Sequence, residues 1–116
     1  MNPQVRAFRN AVSEACHGDG RSSKAFFHDG LEDILEQAQA HNWDSQEIAA
    51  QVLAQCCVED GRFSTRYVIR LHSVMLYLNG QHGRLQSEEQ AWRDLVAILN
   101  EGGHIGSIRS WMQTRY

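Results

Sequence analysis

The stretch that decides the fold is residues 63–78, Phe-Ser-Thr-Arg-Tyr-Val-Ile-Arg-Leu-His-Ser-Val-Met-Leu-Tyr-Leu. Placed on a helix, these residues are apolar around most of the circumference, and one polar strip carries Arg66, Arg70 and Ser73. A helix that is apolar on nearly all sides is typical of a core position. The sequence therefore predicts a central apolar helix over about 64–79, around which other elements pack.

The remainder of the chain carries helix signals and no long alternating strand pattern. Its single proline is Pro3, which suits a first helical turn, and Asp44 with Glu47 predicts a capping box. An Asp29 cap with Glu32 is an alternative, later start for the second helix. The start and stop signals predict helices over residues 3–16, 23–41, 45–58, 65–79, 88–101 and 104–115.

These elements predict an all-α fold, a single compact bundle of about six short helices in one domain over 1–116. A chain of 116 residues can bury a core without a disulfide or a metal. The three cysteines are odd in number and Cys56 adjoins Cys57, so we expect reduced thiols in a cytoplasmic protein. Residues 1–20 lack a basic start followed by an apolar run, and no stretch is apolar enough to cross a membrane.

Metal-binding and catalytic patterns are weak. The six histidines and three cysteines form no Cys-x-x-Cys, His-x-x-x-His or His-x-x-Glu-His spacing. His28-Asp29 is the doublet of HD-type phosphohydrolases, but that fold needs further His and Asp ligands on other helices. Cys56 and Cys57 lie near a helix end, where the dipole raises a thiol pKa. We expect no metal, no cofactor and no enzymatic activity.

Residues 45–79 support an alternative hypothesis, in which the protein binds nucleic acid. The segment 47–70 follows the residue rhythm of a helix-turn-helix, in which Arg66 or Arg70 would meet guanine edges. Its second helix is too apolar to lie in a groove, and the net charge of −3 disfavours binding over the whole surface. DNA binding is therefore kept as the second hypothesis.

Arginines supply the candidate binding residues. Arg62, Arg66 and Arg70 recur at i, i+4 and i+8, which places them on one helix face. Three interpretations stay open: they pair with acids of the second helix, they face solvent, or they bind an anionic partner. The acidic residues in question are Asp29, Glu32, Asp33 and Glu36.

The C-terminal segment supplies a second candidate surface. Trp111 and Met112 are expected to dock on the core, whereas Arg109, Arg115 and Tyr116 are better interface candidates because arginine and aromatic residues are enriched at interface centres. We thus expect a protein-binding module, of the kind found as phage or plasmid accessory proteins that regulate or inhibit a host machine such as a defence system. A homodimer is a further possibility if the fourth or sixth helix is left uncovered.

Overall fold

A computed structural model describes residues 2–17, 30–59, 62–78 and 88–115. Over these residues the chain forms six α-helices and one short antiparallel β-hairpin. The elements are α1 (Pro3–His17), α2 (Gly30–His41), α3 (Ser45–Gln55), β1 (Val58–Glu59), β2 (Arg62–Phe63), α4 (Thr65–Leu78), α5 (Glu88–Asn100) and α6 (Ile105–Arg115). The predicted all-α bundle is confirmed, and the hairpin is an addition to it. The predicted start of the second helix, including its Asp29 cap, lies outside the described residues.

The helix α3 ends three residues earlier than the sequence predicts. Cys56 is its C-cap and donates its backbone N–H to Val52 O at 2.7 Å. The chain then turns into the hairpin, in which Val58 pairs with Phe63 and Glu59 with Arg62. A β-branched valine favours this extended pairing over a further helical turn. Arg62 therefore belongs to β2 and does not continue a helical row with the arginines of α4.

An αα-hairpin is formed by α2 and α3. Asn42 has a positive φ of 56°, and the N–H of Trp43 returns to Ala38 O at 3.0 Å, which is the bond of a Schellman ending. Asp44 then caps α3 by accepting the N–H of Glu47 at 2.8 Å, so the predicted cap is confirmed. This tight connection brings the start of α2 back to the end of α3.

The start of α1 is anchored to the connection between α2 and α3. Asn2 caps α1 through Oδ1, which accepts the N–H of Gln4 at 2.8 Å. Its side-chain amide donates to Asn42 Oδ1 and to Trp43 O, both at 3.2 Å. The Gln4 side chain accepts bonds from the backbone N–H and the hydroxyl of Ser45. One polar cluster thus fixes three helix ends relative to one another.

Among the described residues, the helix with the most helical neighbours is α3, beside the predicted apolar helix α4. It packs against α1, α2, α4 and α6, and its inward residues are buried over more than half of the helix circumference. These residues are Ile48, Ala49, Ala50, Val52 and Leu53. Two alanines side by side allow neighbouring helices to approach closely. In contrast, α4 packs against α1 and α3 with one face and exposes the opposite face.

Candidate protein-binding surface

The exposed face of α4 carries a strip of five residues spaced at i, i+3, i+4, i+7 and i+11, which places them on one side of a helix. We call it the outer strip, and it consists of Arg66, Ile69, Arg70, Ser73 and Tyr77. Ile69 is 56% exposed and Tyr77 is 46% exposed. Arg66 is also exposed, whereas Arg70 and Ser73 are half-buried. Large apolar side chains and guanidinium groups therefore share one solvent-facing strip.

The opposite face of α4 explains why this strip points outward. Its buried residues cluster on one side of the helix and join the common core; they are Tyr67, Val68, Leu71, Val74 and Met75. With that side committed to α1 and α3, the positions half a turn away must face solvent. The sequence predicts a helix that is apolar around most of its circumference with one polar strip, and in the structure this strip faces solvent together with the apolar side chain of Ile69.

The ring of Tyr67 forms cation–π contacts with both arginines of the outer strip. The Cζ atom of Arg66 lies 4.9 Å from the centre of the Tyr67 ring, and that of Arg70 lies 5.5 Å away. Arg66 Nη2 also approaches the Tyr67 hydroxyl at 3.4 Å. Because the Tyr67 ring is 3% exposed and fixed in the core, these cation–π contacts restrict the positions of two otherwise flexible side chains. Sequence reasoning did not identify Tyr67 in this role.

Glu32 of α2 is one of the acidic residues predicted to pair with the α4 arginines, but it pairs with α1 instead. Its carboxylate forms an ion pair with Arg9 of α1, with Nη1 2.6 Å from Oε1. Asp29, another predicted mate, lies outside the described residues. Asp33 and Glu36 are exposed on α2. The structure thus assigns Glu32 to a contact between α1 and α2.

The second predicted surface, at the C-terminus, divides between core and surface contacts. Ile108, Trp111 and Met112 are buried in the core, so the expected docking of Trp111 and Met112 is confirmed. Arg109 donates from Nε to both carboxylate oxygens of Glu47 at 2.7 and 3.0 Å. That contact joins α6 to α3, which gives Arg109 a role within the bundle. The side chain of Arg115, and all of Tyr116, lie outside the described residues, as does the side chain of Arg62.

The two cysteines at the end of α3 are poor candidates for chemistry. Both are buried. Burial, followed by the charge of Asp33, raises the pKa of Cys56 to about 11. Burial and then the neighbouring Cys56 raise the pKa of Cys57 still further. A thiol that stays protonated at neutral pH is a weak nucleophile and a weak metal ligand.

Two further features, a metal-binding cluster and a membrane-spanning helix, are absent from the described part of the chain. No three His, Cys, Asp or Glu side chains come together there in a way that would hold a metal ion. None of the helices in those ranges is both long and apolar enough to cross a membrane. In comparisons with known proteins, no family model, curated protein or solved structure matches the chain. The outer strip is thus defined as a candidate surface by its own geometry.

Proposed function

We propose that this protein is a non-enzymatic protein-binding module and that the outer strip of α4 is its binding surface. The observation that carries the proposal is the exposure of Ile69 and Tyr77 on the same strip as two held arginines. Tyrosine and arginine are enriched at binding hot spots, and apolar residues that share one patch mark interaction sites more strongly than scattered ones. A small module of this kind suits an accessory protein that regulates or inhibits a larger machine by docking on it.

The helix-turn-helix alternative has less support from the geometry. That motif joins its two helices by a turn of about three or four residues. Here the connection between α3 and α4 spans residues 56–64 and contains the β-hairpin. In addition, α3 packs against four other helices. We therefore favour a protein partner over a nucleic acid.

Site-specific photo-crosslinking in the source cell tests the proposal. A photoreactive residue is placed at Ile69 or at Tyr77, and the matched control is Gln37, which is exposed on α2. We expect a discrete protein adduct from positions 69 and 77 that is absent from position 37. The same ladder of adducts from all three positions, or no protein adduct from 69 and 77, would contradict the proposal. Retention on mixed DNA duplexes that falls steeply with salt would favour the alternative.

A further inference from the structure

We draw no further inference here: the strongest candidate, the solvent-facing patch of Ile69 and Tyr77 on the outer strip of α4, belongs to the surface already proposed for binding, and nothing in the described part of the structure shows what covers it.

Discussion

At the scale of single residues, Gly30 is a position where a side chain has little room. A Cβ atom built on Gly30 would lie 3.1 Å from Cys56 Sγ, which is tighter than an ordinary contact. We expect Gly30→Ala to be less favourable than the same change at Gly106 by ~1–2 kcal/mol, because the shift forced on the Cys56 sulfur offsets the helix preference of alanine. Urea unfolding followed by circular dichroism measures this change.

Gly106 provides the matched control, because it also lies in a first helical turn but a Cβ there would meet nothing within 4 Å. Gly106→Ala should leave the stability unchanged or raise it by up to ~1 kcal/mol, since alanine favours a helix over glycine. Combining Gly30→Ala with Cys56→Ala should recover part of the loss by removing the sulfur. Equal effects of the two glycine substitutions would show that the contact with Cys56 is not the cause.

The buried thiol of Cys56 predicts a pH dependence. Burial, with a smaller effect from Asp33, raises its pKa from the ordinary value of 9.0 to about 11. Between these values the unfolded chain has released a proton that the folded chain retains, so the free energy of unfolding decreases as pH rises from 9.0 to about 11. In urea unfolding across this interval, Cys56→Ala should decline less steeply than the wild type. Parallel declines would contradict the assignment to Cys56.

Local residue roles were predictable where the physical reason is local. Asp44 was identified as a helix cap from sequence because a cap satisfies an N–H group two or three residues away. Ile69 and Tyr77 were not recognised as exposed, because exposure depends on which neighbouring helices cover α4. Their spacing of eight residues on the same side as Arg66 was the signal available in the sequence.

At the scale of helices, two ion pairs link neighbouring elements with different degrees of exposure. Arg109 to Glu47 joins α6 to α3 through two short contacts, with side chains 47% and 21% exposed. Arg9 to Glu32 joins α1 to α2, with side chains 43% and 56% exposed. We expect Arg109→Ala to cost ~0.5–1 kcal/mol and Arg9→Ala less, because exposed pairs contribute little. Thermal or urea unfolding of the two variants measures the difference.

The same two variants separate a structural role of Arg109 from its predicted role in partner binding. If Arg109 serves the bundle, Arg109→Ala should lower stability while the crosslinking yield at Tyr77 stays unchanged. A large loss of crosslinking yield in an Arg109→Ala variant that remains folded would show that Arg109 belongs to the binding surface. The matched variant Arg9→Ala should change neither quantity much, since it lies on α1 and contacts α2.

Helix boundaries show where sequence reasoning loses precision. The predicted helix 45–58 continued to Val58 because no glycine or proline interrupts it before Gly61. The chain instead leaves the helix after Gln55, and its backbone groups are satisfied by the hairpin and by Ser64, whose N–H donates to Cys57 O at 2.7 Å. That alternative set of hydrogen bonds depends on residues beyond the helix. It also moves Arg62 out of the predicted row of arginines.

At the scale of the whole molecule, the order of burial among helices could not be obtained from periodicity. The helix over 65–78 is the more apolar-looking stretch, yet α3 is the one surrounded by α1, α2, α4 and α6. Large residues such as Tyr67 and Met75 fill space on one side of α4, whereas Ala49 and Ala50 let other helices approach α3 from several directions. Small residues are weak signals of burial in a single sequence, although they decide which helix fits at the centre.

The central position of α3 makes a prediction about its alanines. Ala50 is fully buried, so Ala50→Leu must place three further carbon atoms between helices that are already in contact. We expect the free energy of unfolding to fall by ~2–3 kcal/mol, the upper part of the range for overpacked cores. The matched control is Ala97→Leu on the exposed side of α5, which should change stability by less than ~0.5 kcal/mol. Urea unfolding compares the two variants. Similar stabilities for both would mean that α3 can be displaced without cost, and a central role for this helix would then have to be abandoned.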